Sequence, residues 1–158
     1  MTDSYLQLLV ESLEKKCEVL DKILEVDDRQ AALCIGPDMD MIAYDATVDE
    51  KSDLLEELNK LDEGFTSTFE IIKDELLENT SEYKKEIALL KDLIRETMDK
   101  TTSIEAKETR NKMALDSFFN ARRNEVRQQR VNSSVVSKYY KSMSKINDVD
   151  PQLMDKKK

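Results

Sequence analysis

The sequence predicts an all-α protein, an elongated hairpin or bundle of three long helices with coiled-coil-like packing, followed by a marginally ordered amphipathic C-terminal segment. Three observations carry that expectation. Only 2 Gly and 2 Pro occur in 158 residues, and aromatic residues make up 6%, so the turn residues and strand formers of a sheet protein are missing. Charged residues reach 37% against 39% hydrophobic, a ratio that suits long helices packed along narrow stripes better than a thick globular core. The apolar residues recur in steps of three and four over most of the chain.

The first helix is expected over residues 4–32. Leu6, Val10, Leu13, Cys17, Leu20 and Leu24 form its stripe, and Ser4 offers an N-cap. Gly36-Pro37 ends it, because proline lacks an amide donor and disfavours helix just before it. Residues 36–46 read as a linker in which Met39, Met41, Ile42 and Tyr44 suit a short helix packed across the bundle. Asp38, Asp40 and Asp45 in that linker do not make a calcium loop. Ala43 and Asp49 stand where an EF-hand needs Gly and Glu.

A second helix is expected over 47–78, opened by the capping box Thr47-Val48-Asp49-Glu50. Its stripe is Lys51, Leu54, Leu58, Leu61, Phe65, Ile72 and Leu76, widened by Leu55 and Phe69. Gly64 lies inside it, either as a point of close backbone approach or as a weak spot costing about 1 kcal/mol relative to Ala. Asn79-Thr80-Ser81-Glu82 then reads as a break and a new cap.

The third helix, expected over 82–130, is the longest, since neither Gly nor Pro occurs between Phe65 and Asp150. Its seam runs Tyr83, Ile87, Leu90, Ile94, Thr97, Thr101, Ile104, Glu108, Asn111, Leu115 and Phe118. The polar middle, Thr97 to Asn111, weakens packing and helps fix register, as buried polar residues do in coiled coils. A continuous helix to Arg130 would be roughly 70 Å long at 1.5 Å per residue. The two shorter helices cannot cover it all, so part of it is expected to project or to meet a second copy. The stripe fades among Arg122, Arg123, Arg127 and Arg130, which sets the boundary between a bundle of residues 1–130 and a tail of residues 131–158.

In the tail, Val131, Val135, Tyr139, Met143 and Ile146 repeat at helical spacing, with Val136 and Tyr140 beside them. This short stripe, cut off from the main seam, is the candidate partner-binding surface, expected to fold on its partner. Packing back onto the protein's own bundle is the alternative. Lys138, Lys141, Lys145 and the terminal Lys156-Lys157-Lys158 make the tail basic. Residues 1–100 hold 27 acidic against 12 basic side chains, whereas residues 101–158 hold 7 against 13. An acidic body with a basic tail marks an interaction protein, and the acidic part argues against general nucleic-acid binding.

Catalytic and metal chemistry find little to work with. Histidine is absent, Cys17 and Cys34 have neither the number nor the spacing of a zinc site, and no phosphate-binding glycine loop occurs. No enzyme, cofactor or metal site is therefore expected. With no basic start followed by an apolar run and nothing resembling a membrane span, a cytoplasmic protein without membrane insertion is the expectation.

The run Leu58-Asn59-Lys60-Leu61-Asp62-Glu63-Gly64-Phe65 within Lys51–Glu75 resembles the FlgN-like flagellar export chaperones of clostridial type. So do Tyr83-Lys84-Lys85-Glu86-Ile87, Ile104–Lys112, and the ending Tyr139-Tyr140-Lys141-Ser142-Met143 through Met154-Asp155-Lys156-Lys157-Lys158. The resemblance implies a cytoplasmic chaperone that holds hook–filament junction proteins soluble, prevents their premature assembly and delivers them to the flagellar type III export apparatus. It implies cargo contact in the C-terminal region, here Val131–Ile146, and docking at the export apparatus through a tyrosine, either Tyr139 or Tyr140. A structural or scaffolding coiled coil that self-associates through the third helix, as a weak homodimer for instance, is the rival reading.

Overall fold

A computed structural model describes the backbone of residues 1–144 and the side chains of residues 1–131. These residues form three α-helices, α1 (Thr2–Leu33), α2 (Met41–Glu78) and α3 (Lys84–Ser144), packed against each other, with no strand among them. The all-helical class holds. The chain divides into two compact units, Met1–Met113 and Ala114–Lys158, so the division falls inside α3, ahead of the expected 130/131 boundary.

Within the first unit the helices run up, down and up. Lys16 pairs with Asp62 at 2.7 Å and Arg29 with Glu50 at 2.6 Å, which makes α1 and α2 antiparallel. Lys100 pairs with Asp21 at 2.6 Å and Lys107 with Asp28, which makes α1 and α3 parallel. Two apolar clusters hold this arrangement. Leu6, Leu9 and Leu13 of α1 meet Ile72 and Leu76 of α2 and Leu90 of α3, with Tyr83 from the turn between them. Further along, Val19, Ile23 and Val26 meet Leu54, flanked by Leu58, Leu61 and Ile104. Each such side chain contributes about 1.5–3 kcal/mol when fully buried. The α1 stripe is wider than expected. Leu6, Leu13, Cys17 and Leu20 are buried as the spacing predicts, Leu9, Val19, Ile23 and Val26 join them, and Val10 and Leu24 are only half-buried.

The helix boundaries correct several expectations. Ser4 does not cap α1; the helix starts at Thr2, and Met1 holds the cap position without a side-chain hydrogen bond. α1 ends at Leu33 with Cys34 as its C-cap, and Gly36, at φ 88°, takes a left-handed conformation two residues further on, in the turn ahead of Pro37. Residues 41–46 are neither linker nor a separate short helix, because α2 begins at Met41. Asp40 caps it, accepting from the Ala43 amide at 3.1 Å. The Thr47–Glu50 capping box does not form. An Asx cap right after Gly36-Pro37 starts the helix earlier, which buries Tyr44 and places Thr47 in the core.

The α2–α3 turn is anchored by Asn79, whose amide side chain donates to the Glu75 carbonyl at 3.2 Å, and by the Tyr83 hydroxyl, which donates to Glu75 Oε1 at 3.1 Å. Beyond it α3 runs for 61 residues. It therefore passes position 130, where a helix end was expected, and Arg122 through Arg130 lie within it. A Cβ at Gly64 would meet nothing within 4 Å. The glycine is a weak spot in an exposed stretch of α2, and no neighbouring backbone uses its missing side chain.

Candidate functional site

The expected partner surface begins at Val131, which stands on α3 and is 54% exposed. Val135, Val136, Tyr139, Tyr140 and Met143 belong to the same helix, but their side chains lie outside the described residues, and so does Ile146 altogether. In the second unit, no side chain from Ala114 to Val131 is buried. Phe118 and Phe119 meet edge to face with centroids 5.5 Å apart, and the Arg122 guanidinium sits 5.9 Å over the Phe118 ring. Phe119 and Val126 are more than a third exposed. Leu115, Phe118, Phe119, Arg122 and Val126 fall in steps of three and four, so this stretch of α3 carries an accessible apolar stripe.

The arrangement that pattern reading missed is a buried polar cluster in the first unit. Asp27 and Gln30 of α1, Thr47 and Lys51 of α2, and Asn111 of α3 are all buried, and Asp27 is fully so. The Lys51 ammonium is the centre. It contacts Asp27 Oδ1 at 2.5 Å and Glu108 Oε1 at 3.1 Å, and it donates to Gln30 Oε1 at 2.7 Å. Gln30 Nε2 donates to the Thr47 hydroxyl at 3.1 Å, and that hydroxyl donates to the Tyr44 carbonyl at 2.5 Å. Asn111 Nδ2 donates to the Asp27 carbonyl at 2.8 Å and reaches Gln30 Oε1 at 3.4 Å. All three helices are thereby tied at one level.

The two ions at the centre are unequally served. Burial works to lower the Lys51 pKa, but the Asp27 and Glu108 carboxylates against it outweigh that and raise it. Burial raises the Asp27 carboxyl, and the Lys51 ammonium only partly opposes it. The asymmetry follows from the partners. Three acceptors surround the ammonium, whereas Asp27 Oδ2 and Asn111 Oδ1 receive no donor and Oδ1 of Asp27 meets Lys51 as an ion pair without a well-directed hydrogen bond.

Lys51, Glu108 and Asn111 stand in the expected stripes; Asp27 and Gln30 do not. Their signal was present nonetheless, because Leu6, Leu13, Leu20 and Asp27 are spaced by sevens, as are Leu9, Ile23 and Gln30 counted in multiples of seven. A search for apolar residues alone stops at Leu24 and passes over a polar continuation.

No group of three or more Cys, Asp or Glu side chains able to hold a metal occurs among the described residues. Cys17 and Cys34 are free thiols, and burial pushes both up from the ordinary thiol range. No helix among the described residues is long and apolar enough to cross a membrane. Comparison with protein-family models, with curated proteins and with solved structures finds no match.

Proposed function

We propose that the protein is a non-enzymatic binding protein that lays the C-terminal part of α3 against an amphipathic helix of a partner, in the role of a cytoplasmic flagellar export chaperone. The observation that carries the binding role is the continuation of α3 past the three-helix unit into a stretch where no described side chain is buried and Phe119, Val126 and Val131 remain accessible. Accessible apolar side chains on a helix face are what a helix-in-groove or helix-on-helix contact uses. The flagellar part of the proposal rests on the resemblance of Leu58–Phe65, Tyr83–Ile87, Ile104–Lys112 and the Tyr139–Lys158 ending to FlgN-like chaperones. Under that reading the cargo is a hook–filament junction protein, whose terminal helices are covered until export. Val131, Val135, Val136, Tyr139, Tyr140, Met143 and Ile146 are the proposed contacts.

Deletion of residues 131–158 is expected to leave the helical circular-dichroism signal of the first unit in place and to abolish capture of a purified hook–filament junction protein. Undiminished capture would remove the binding site from this segment. The exposed stripe on α3 also suits a second copy of the chain. Sedimentation separates the readings, since a stable oligomer that ignores cargo supports a self-associating scaffold, and a monomer that captures cargo supports the chaperone.

A further inference from the structure

Coiled-coil-like helices repeat every seven residues, so a helix displaced by one heptad, about 10 Å, again presents a seam to its neighbours. For α3 such a displaced frame is partly supplied. The ion pairs that align it on α1, Asp21 with Lys100 and Asp28 with Lys107, share one offset and are themselves one heptad apart. A slip of α3 by seven residues towards its N-terminus would exchange them for Asp21 with Lys107 and keep one of the two. The same slip would carry Leu115 and Phe118 into the places of Glu108 and Asn111, and apolar side chains would then enter the core level that polar ones now occupy. At the other levels Thr97 would replace Leu90, Lys100 would replace Leu93 and Asn111 would replace Ile104, so the slipped frame loses apolar contacts there while it gains them at the level of Glu108 and Asn111.

We propose that the buried cluster of Asp27, Gln30, Thr47 and Lys51 with Glu108 and Asn111 is a register lock, which holds α3 in its native heptad frame by refusing the slipped one. In the native frame Asn111 Nδ2 satisfies the Asp27 carbonyl at 2.8 Å and Glu108 shares the Lys51 ammonium at 3.1 Å. In the slipped frame Phe118 and Leu115 would face a fully buried carboxylate and a buried ammonium with nothing to offer either. The Asp27–Lys51 pair would remain, but Lys51 would lose Glu108, the Asp27 carbonyl would lose Asn111, and the pair would lie against apolar side chains, a costly setting for buried charge. The lock accounts for a feature that packing does not, namely that α1 and α2 turn polar at the level where α3 does, with Leu115 and Phe118 available one heptad further on.

The test uses the full chain with cysteines at Asp28 and Lys107 to report the native frame, or at Asp21 and Lys107 to report the slipped one. Disulfides formed under mild oxidation are mapped by mass spectrometry to separate them from Cys17 and Cys34. With the cluster intact, only the 28–107 bridge is expected beyond trace. In the Asp27→Leu/Lys51→Met/Asn111→Leu background the 21–107 bridge should rise by about tenfold or more, the scale on which a buried polar position selects register. Should that background lose its helical signal, Asn111→Leu alone is read in the same way, because the Asp27–Lys51 pair stays and the slipped frame is less strongly refused. Absence of any rise in a folded variant overturns the lock.

Discussion

The two ends of the first unit are held by different physics. At one end Leu6, Leu9 and Leu13 close on Ile72, Leu76, Tyr83 and Leu90, an interface of apolar surface that is strong and tolerant of small displacement. At the other, beyond Val26 and Leu54, the same three helices are joined by Lys51 and its ring of acceptors, an interface that contributes little net stability yet accepts only one partner set. The difference teaches that burial in this bundle serves two purposes. The leucine end supplies free energy and the lysine end supplies alignment.

The sharpest way to break that comparison is to remove one ion. Lys51→Met should lower stability by about 3–5 kcal/mol, because it leaves Asp27 fully buried without a counter-charge. Adding Asp27→Leu should recover most of the loss and can exceed the original stability, since an apolar pair has no desolvation cost. Leu9→Ala at the opposite end should cost about 2–5 kcal/mol as a cavity and should find no rescuing partner. Urea unfolding followed by circular dichroism gives all of these values. Additive effects of Lys51→Met and Asp27→Leu would contradict a coupled pair.

Much of this architecture was legible in the sequence, and the reasons for the exceptions are physical. Three helices follow from heptad spacing, and most of the α2 and α3 stripes was legible in it because apolar residues such as Leu54, Ile104 and Leu115 carry the pattern past Lys51, Glu108 and Asn111, whereas Leu55, Phe69 and Ile94 lie at the stripe edges and are exposed. The start of α2 was not, since Thr47-Val48-Asp49-Glu50 and Asp40 both offer caps and local chemistry cannot rank them. Burial of Tyr44 and Thr47 against α1 decided for Asp40. The polar cluster as a unit was not legible either. Which acceptors surround Lys51 depends on residues 21 and 57 positions away in the chain, and only packing brings Gln30 and Glu108 together.

A smaller effect concerns pH and isolates the acidic partner. Folding raises the Asp27 pKa through burial, against the pull of Lys51 from α2 and Lys107 from α3, with Glu108 of α3 adding to the rise. A carboxyl raised on folding binds its proton more tightly in the folded chain, so its contribution is most favourable below the ordinary carboxylate pKa and is lost as pH rises through the folded value. The melting temperature of the wild-type chain relative to Asp27→Asn should therefore fall as pH is raised from about 4 towards 8. A constant difference across that range would mean that Asp27 titrates in the folded chain as it does in the unfolded one.

The smallest expected effect tests the leucine side of the comparison away from either cluster. Gly64 sits in the exposed middle of α2, in helical conformation, and a Cβ there meets no atom within 4 Å. Gly64→Ala should stabilise the chain by about 0.5–1 kcal/mol, by reducing the freedom of the unfolded backbone and by raising helix propensity. It touches neither the apolar interface nor the lysine-centred one, so its effect should add to that of Lys51→Met within about 0.5 kcal/mol. If α2 transmitted strain between the two ends, the two substitutions would instead couple, and the separation of a stabilising end from an aligning end would fail at its midpoint.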